Sequence, residues 1–331
     1  MKRIWMTALA LAAICLGPCS AFAQGAVQLS FATAAPGAAW NNYSVGMAEL
    51  IKAKLPAGSD VQLKIGPGAI FSINLVQSGK ADIGFGFAHT AASACSGTGV
   101  FTEKKDKVLS LLGGLDSYYF ATFVTKRSGV TTWEEIAEAK NKFWLLTLKA
   151  GSMGEQGVRQ VLALLGSSKE AIVEKGGFVE ATARSATPRQ IKDGLAEGWA
   201  SVVPKGHPMA DQMASLVDMA VLPLPESVIS GMVEKHGWVE TMMPANTYRG
   251  QAVAVKTVKS ATNLLASASL SDEMAYLITK TIVESAGDAL GKVHVALSDF
   301  DPKLAADPVL NGGCPMHPGA VRYFKGVGLL K

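Results

Sequence analysis

Apolar positions in the first third of the chain alternate between short β-capable runs and segments with helical spacing. The apolar runs lie at 27–32, 61–65 and 81–87, and the helical spacings lie between them at 45–51 and 70–76. Strands that alternate with helices predict a mostly parallel, doubly wound sheet with flanking helices. Ligands of such sheets bind at the carboxyl ends of the strands.

The same pattern starts again after an apolar run at 120–124. Thr132 and Glu135 have the spacing of a capping box, and a predicted strand follows at 144–148. The loop Gly151-Ser152-Met153-Gly154 then precedes apolar positions with helical spacing. This restart predicts a second α/β lobe and a cleft between the two lobes.

The rest of the chain contains further helix and strand signals but no short-period repeat. A helix is predicted at 190–197, a strand at 200–203 and a long helix at 270–284 behind a Ser271 cap. We therefore expect an α/β protein of two lobes, each a doubly wound, mostly parallel sheet with flanking helices, joined by a hinge. Lobe I is assigned to residues 24–123, lobe II to 124–220, and 221–331 is expected to return to the hinge and lobe I.

The first 23 residues have the features of a secretory signal. Lys2 and Arg3 precede an apolar run at 4–16, and Ala21-Phe22-Ala23 has the small-x-small spacing of a cleavage site. The apolar run is shorter than the roughly 20 residues of a membrane-spanning helix. We expect cleavage after Ala23 and a periplasmic mature protein.

Composition excludes several classes of protein. Of 331 residues, 49% are hydrophobic and 18% are charged, which is typical of a globular chain and not of a disordered one. The net charge of +4 falls to +2 without Lys2 and Arg3. This small positive charge predicts no nucleic-acid partner.

Two cysteines remain after removal of the signal, Cys95 and Cys314. An oxidising compartment permits a disulfide between them, and two separate buried thiols are the alternative. The sequence leaves both possibilities open, because it does not give the distance between the sulfur atoms.

Motif searches give no support for catalysis or for a cofactor. The chain has no G-x-S-x-G, no complete P-loop and no H-E-x-x-H, and its histidines lack metal-ligand spacing. The enzyme hypothesis requires a pair assembled in space, with Ser152 as nucleophile and His89 as base. We expect no enzyme activity and no bound cofactor.

Two glycine-containing loops each lead from a predicted strand into a helix, at 66–74 and 150–155. Free amide groups and the helix dipole make such helix starts suitable for anions. The alternative is that the Gly and Ser residues serve only as turn and cap residues.

The C-terminal segment 314–324, Cys-Pro-Met-His-Pro-Gly-Ala-Val-Arg-Tyr-Phe, resembles the tail of the TAXI family of TRAP transporter solute receptors. Similar matches occur in order at 74–76, 79–83, 128–136 and 151–155. The resemblance implies a two-lobed periplasmic binding protein of the type II kind. It would be a monomeric receptor that closes on a small organic anion or amino acid, such as glutamate or 2-oxoglutarate. The receptor would deliver this ligand to an ion-coupled TRAP permease in the membrane.

The sequence departs from the family pattern at the loop positions of Trp40 and Phe87, and also at Trp199-Ala200-Ser201. A bulky Trp40 and an aromatic Phe87 suggest an apolar pocket wall. The candidate ligand-binding residues are Trp40, Asn41, Asn42, Tyr43, Ser72, Asn74, Phe87, His89, Ser152, Met153, Glu155, Arg184 and Lys205.

Several of these candidates have an alternative role. The rings of Trp40 and Tyr43 either cover a ligand or pack on their own lobe, and Asn74 either orients a carboxylate or ties down its loop. Arg184 and Lys205 are either ligand partners or solvated surface charges. The predicted function is a transport receptor, with an exported enzyme and a receptor that feeds a membrane sensor as alternatives.

Overall fold

The computed structural model describes residues 25–150, 152–181 and 186–331, and the predicted signal segment and Arg184 lie outside them. The described strands are β1 Gln28–Ala34, β2 Asp60–Gly66, β3 Ile83–Phe87, β4 Val108–Leu112, β5 Tyr118–Thr125, β6 Trp144–Thr147, β7 Phe178–Ala181, β8 Gly198–Pro204, β9 Met219–Leu222, β10 Val239–Met243, β11 Val255–Ser260 and β12 Thr262–Ser267. The described α-helices are α1 Ala39–Lys52, α2 Ala69–Gln77, α3 Ala88–Ser96, α4 Trp133–Ala137, α5 Met153–Leu164, α6 Lys169–Glu174, α7 Thr187–Lys192, α8 Pro208–Leu216, α9 Glu226–His236, α10 Asp272–Glu284, α11 Asp288–Val293 and α12 Pro318–Gly326.

The first sheet has the strand order β2-β1-β3-β12-β4. β1 pairs in parallel with β2 and β3, because α1 and α2 carry the chain back across the sheet between these strands. β12 arrives from the second sheet and runs antiparallel to β3 and β4. This sheet with its helices is lobe I.

The second sheet has the order β10-β11-β5-β8-β6-β7, with β9 paired to β5. β6 is parallel to β7 and β8, whereas β5 is antiparallel to β8, β9 and β11. This sheet with its helices is lobe II. The expected two-lobed α/β architecture is confirmed. Both sheets are mixed, because only the strands joined through helices on the sheet face run in parallel.

The chain passes between the sheets twice, at 113–117 and around Ala261, and we call the segments 113–117 and 260–262 the crossing. Strands of the second sheet extend from Tyr118 to Ser260, a wider interval than the 124–220 assigned to lobe II from the sequence. β5 and β9 to β11 hydrogen-bond within the second sheet, so the return to lobe I begins at β12.

Local signals set several helix boundaries. The Ser271 hydroxyl accepts the Met274 amide at the start of α10, as the predicted cap requires. The Thr132 hydroxyl accepts the Glu135 amide, while the Glu135 carboxylate accepts the amide of Thr131. The helix expected at 190–197 is α7. It begins earlier, with Pro188 in its first turn, and it ends at Lys192, shortly before Gly194 with φ 71°.

The C-terminal segment packs against lobe I. The Ser110 amide donates to the Pro315 carbonyl at 2.8 Å, and the His317 amide donates to the Ser110 carbonyl at 2.9 Å. The His317 ring accepts the Gly319 amide at the start of α12. Cys95 at the end of α3 and Cys314 form a disulfide with their Cα atoms 5.5 Å apart. The tail that carries the family resemblance is therefore part of the lobe I structure.

Hydrophobic cores occupy the space between the sheets and their helices. Phe31, Tyr43, Met47 and Phe85 are fully buried in lobe I, and Trp199 is fully buried in lobe II. None of the described helices is long and apolar enough to cross a membrane.

Candidate functional site

A cavity of about 80 Å³, which we call the inner chamber, lies where the two lobes face each other. Lobe I contributes Trp40, Phe87 and the start of α2, and lobe II contributes Leu148, Val202 and the start of α5. The two helix-starting loops predicted from the sequence thus line one cavity.

α2 begins at the chamber without a side-chain cap. Its N-cap residue, Gly68, has φ 126° and ψ −152°, a conformation that glycine adopts far more readily than other residues. The first backbone bond of the helix runs from the Ser72 amide to the Gly68 carbonyl at 3.0 Å. The amides of Ala69 and Ile70 therefore have no partner within the helix, and both residues line the chamber.

The two polar candidates on α2 point elsewhere. The Ser72 hydroxyl is buried and donates to the Ala32 carbonyl at 3.3 Å, so it ties α2 to β1. Asn74 is exposed on the far side of the helix and does not line the chamber. The Asn74 carbonyl accepts the Ser78 amide, as expected in a helix.

α5 begins at the chamber with a capped end. The Ser152 hydroxyl accepts the Glu155 amide at 3.3 Å, so it serves as the N-cap. Ser152, Met153 and Gly154 line the chamber. The Glu155 carboxylate is 4% exposed and lies 2.8 Å from Arg159 Nε and 3.0 Å from Lys169 Nζ. Glu155 therefore ties the start of α5 to the start of α6, and it does not line the chamber.

Aromatic rings form one wall of the chamber. The centroid of the Trp40 ring lies 4.4 Å from that of Phe87, and the Phe87 ring lies 5.0 Å from that of Tyr118. The Trp40 indole N–H donates to Thr262 Oγ1 at 2.9 Å, which connects the chamber wall to the crossing. Trp40 is thus both a lining residue and an internally packed one.

The three residues after Trp40 do not line the chamber. The Asn41 amide group donates to the Ala34 carbonyl at 3.3 Å, and Asn42 is exposed. Tyr43 is fully buried, with its ring against Phe85 and His294. Burial, reinforced by the Asp116 carboxylate, raises the Tyr43 pKa well above its usual value.

His89 connects the two lobes. Its ring stacks on that of Trp238 at 5.0 Å with an interplanar angle of 15°, and Nδ1 lies 2.9 Å from Ser260 Oγ. Nε2 lies 3.1 Å from Thr90 Oγ1. Burial lowers the His89 pKa to about 4, so the ring is neutral at physiological pH.

His89 and Ser152 do not form the pair that the enzyme hypothesis requires. Among the described residues, the ring nitrogens of His89 contact Ser260 and Thr90, whereas the Ser152 hydroxyl contacts the Glu155 amide. No cluster of three or more potential metal ligands occurs in the described part of the chain.

Lys205 lies outside the inner chamber, in a separate pocket beside the crossing. Its Nζ is 3.7 Å from Asp299 Oδ2, so it pairs lobe II with the C-terminal segment. Arg184 remains a prediction, because it lies outside the described residues.

A larger cavity of about 820 Å³, the outer cleft, adjoins the inner chamber. It lies between α3 and the C-terminal segment on one side and the end of α9 on the other. Thr90 and Gln156 line both cavities and stand between them.

Asp116 in the crossing was missed in the sequence analysis. Its carboxylate accepts the Thr262 amide at 2.9 Å and the Thr262 hydroxyl at 3.1 Å, and the side chain is buried. Burial raises the Asp116 pKa to about 7, against the lowering effect of the Thr262 hydrogen bonds. A lone acid in the apolar segment 111–120, after Gly113-Gly114, was the available signal.

Comparison with known proteins identifies related sequences and folds. A model of the NMT1-like family matches residues 31–328. The structure of MatC from Rhodopseudomonas palustris with bound malate matches with a TM-score of 0.54 and 11% identity, covering 92% of this chain and 99% of that one. The periplasmic binding protein BugD matches with a TM-score of 0.54 and 14% identity, covering 92% and 98%. At these identities the structural matches establish the shared fold.

Proposed function

The chain belongs to the NMT1-like family, and from this premise we propose that it is an extracytoplasmic solute receptor. It binds a small organic anion or zwitterion in the inner chamber between its lobes. The bound form is then delivered to a permease in the membrane. The fold shared with MatC and BugD supports this function, and the malate bound to MatC is an example of such a ligand.

One observation carries the proposal: the starts of α2 and α5, from different lobes, line the same cavity. A ligand in the chamber contacts both lobes only when they are closed on each other. Ligand binding therefore shifts the population toward the closed state, which a partner can recognise by its shape. In the closed state the neutral His89 ring also stacks on the Trp238 ring, which adds a contact between the lobes.

Backbone amides supply the attraction for an anion. Ala69 and Ile70 on α2 and Met153 and Gly154 on α5 lie in the first turns of helices that are 9 and 12 residues long. Amide groups and helix dipoles at such positions stabilise negative charge without a basic side chain.

The periplasmic location and the TAXI type are finer parts of the proposal. The signal-like segment at 1–23 supports export, and the tail at 314–324 supports the TAXI assignment. Cys314 and His317 of this tail pack within lobe I, so the tail contributes to the stability of that lobe. Co-purification with membrane subunits of a TRAP-class permease would support the transporter type.

Calorimetric titration of the mature chain tests the receptor function. The probes are malate, glutamate, 2-oxoglutarate, glycine, butanoate and hexanoate, and we expect saturable binding by at least one anion. Small-angle scattering should show a decrease in the radius of gyration on binding. Absence of binding by every anion, together with hydrolytic or transferase turnover, would contradict the proposal.

A matched pair of variants tests whether the bound group is anionic. Met153→Glu places a carboxylate at the chamber wall, and Met153→Gln places a neutral group of nearly the same size there. We expect the Glu variant to bind the anion at least tenfold more weakly than the Gln variant at pH 7, because like charges repel in a partly desolvated site. Equal affinities would show that the ligand carries no negative charge at this position.

A further inference from the structure

We infer that the natural ligand is a monoanion with an apolar body, which extends from the inner chamber past Thr90 and Gln156 into the outer cleft. This inference rests on the proposed function and names the class of ligand. It differs from a compact dicarboxylate such as the malate bound to MatC.

The inner chamber is suited to one small group and not to two charges. None of the described residues that line it is charged, and its walls include Trp40, Ile70, Phe87, Leu148 and Met153. Amides at the helix starts can satisfy one carboxylate, but a second carboxylate against these walls would lack partners. The chamber volume of about 80 Å³ is roughly a tenth of the 820 Å³ of the outer cleft, so the chamber suits one small group such as a carboxylate and not a whole ligand.

The outer cleft has room for the rest of a larger ligand. Its volume of about 820 Å³ lies within the range of roughly 300–1,000 Å³ for small-molecule sites. Large apolar side chains are exposed around it: Val100 at 51%, Val239 at 38%, Leu304 at 49% and Val309 at 69%. They come from separate segments of both lobes, so an apolar body in the cleft would cover surface on each side.

The charged side chains of the outer cleft do not favour a second anion. Lys235 and Lys259 line it together with the carboxylates of Asp299 and Asp301, so positive charge is not in excess even without the partly protonated Asp116. Lys259 Nζ donates to Ser117 Oγ at 3.3 Å beside the crossing. A dicarboxylate that spanned both cavities would gain no net attraction in the outer cleft.

The partition between the cavities has a defined structure. Gln156 lies on α5 one turn after its Ser152 cap, and the backbone N–H of Gln156 donates to the Ser152 carbonyl at 3.0 Å. The Thr90 hydroxyl lies 3.1 Å from His89 Nε2, which fixes it at the start of α3. Because these two side chains line both cavities, a ligand that extends from one cavity into the other lies against them.

The test is a calorimetric series of butanoate, hexanoate and octanoate, compared with malate and glutarate, on the mature chain. Each added methylene that becomes buried should raise the affinity about two- to fourfold. We expect octanoate to bind at least tenfold more tightly than butanoate, and both dicarboxylates to bind more weakly than hexanoate. Gln156→Ala should increase the gain per methylene, because it widens the passage.

Two surface variants locate the apolar body. Val309→Asp lies on the rim of the outer cleft and should weaken octanoate binding at least fivefold while leaving butanoate binding unchanged. Val253→Asp is the matched control, because Val253 is also 69% exposed but does not line the cleft. Tighter binding of malate or glutarate, or affinity independent of chain length, would overturn the inference and leave the receptor function intact. Binding of none of the anions would instead contradict the proposed function.

Discussion

The inner chamber and the crossing are neighbours, yet their polar groups come from different sources. The described lining of the chamber has rings, aliphatic side chains and backbone amides but no charged side chain. The crossing holds the buried carboxylate of Asp116, which accepts two hydrogen bonds from Thr262. Trp40 belongs to both, because it lines the chamber and donates to Thr262.

This difference assigns ligand recognition to the chamber and the connection between the lobes to the crossing. Backbone amides at helix starts are fixed by the fold, so the chamber can attract an anion without a titratable side chain. Asp116 instead joins the two chain segments that connect the lobes. We therefore expect the pH dependence of the protein to arise at the crossing and ligand selectivity to arise in the chamber.

Asp116→Asn should give the largest effect on stability. The Asp116 pKa is raised to about 7 in the folded protein from an ordinary value of 3.8, so folding favours the protonated form. The contribution of Asp116 to the free energy of unfolding is fully present below about pH 4. It decreases by roughly 4 kcal/mol as the pH rises through 7, which corresponds to a shift of about three pKa units. The Asn variant lacks this loss.

Urea unfolding between pH 4.5 and 8.5 measures the effect. The difference in unfolding free energy, variant minus wild type, should increase by several kcal/mol toward high pH. Asp288→Asn is the control, since Asp288 is exposed on α11. Parallel curves for the wild type and Asp116→Asn would show that the buried carboxylate does not govern the pH dependence.

Two glycine substitutions compare the chamber walls of the two lobes. A Cβ at Gly84 would overlap the Ser72 hydroxyl and lie 3.1 Å from Val76 Cγ2, pushing α2 away from its sheet. A Cβ at Gly154 would overlap the Ser201 hydroxyl and lie 3.1 Å from the Ser201 Cα, pushing α5 away. Each Gly→Ala change should cost about 1–3 kcal/mol of unfolding free energy and weaken anion binding.

Gly326→Ala is the control for these two variants, because a Cβ there meets nothing within 4 Å. Chemical denaturation and calorimetry on all three proteins provide the comparison. If Gly84→Ala and Gly154→Ala kept wild-type affinity, the positions of the helix starts would not determine binding.

Trp40→Phe tests the connection between the chamber and the crossing. Phe keeps an aromatic wall but removes the N–H that donates to Thr262 Oγ1. We expect a loss of about 1–3 kcal/mol in unfolding free energy, because the buried hydroxyl loses one partner and the smaller ring leaves a void at a buried position. Trp144→Phe, at a ring that is 42% exposed at the start of β6, is the control.

A double-mutant cycle with Asp116→Asn sharpens this prediction. Trp40 and Asp116 share Thr262 as a partner, so their effects on stability should not be additive. Strict additivity would mean that the chamber wall and the crossing are independent.

The sequence predicted what local patterns determine. The alternation of strands and helices gave the two-lobed architecture, and the spacing after Ser152 gave a helix start whose cap the structure contains. These features depend on residues within one or two turns of each other. Which strands pair in antiparallel depends on where the chain crosses between sheets, and that signal is weak in the sequence.

The residues missed or placed elsewhere depend on contacts that are distant in sequence. Asp116 bonds to Thr262, 146 residues away, and His89 contacts Ser260, 171 residues away. Ser72 and Asn74 follow the correct loop, but helical geometry turns one toward the sheet and the other toward solvent. Pattern reasoning located the helix start without determining which atoms of it reach the chamber.

Lys205→Ala should give the smallest effect. Its ion pair with Asp299 spans 3.7 Å with side chains that are 45% and 65% exposed, so solvent screens it and the expected loss is below about 1 kcal/mol. Lys205 does not line the chamber, and anion affinity should therefore stay within twofold of the wild type. Calorimetry at low and high salt distinguishes an ion pair with Asp299 from a contact to the ligand. A tenfold loss of affinity in the variant would make Lys205 a ligand contact. Unchanged affinity would instead leave the attraction for the anion to the backbone amides of α2 and α5, in line with the contrast between chamber and crossing.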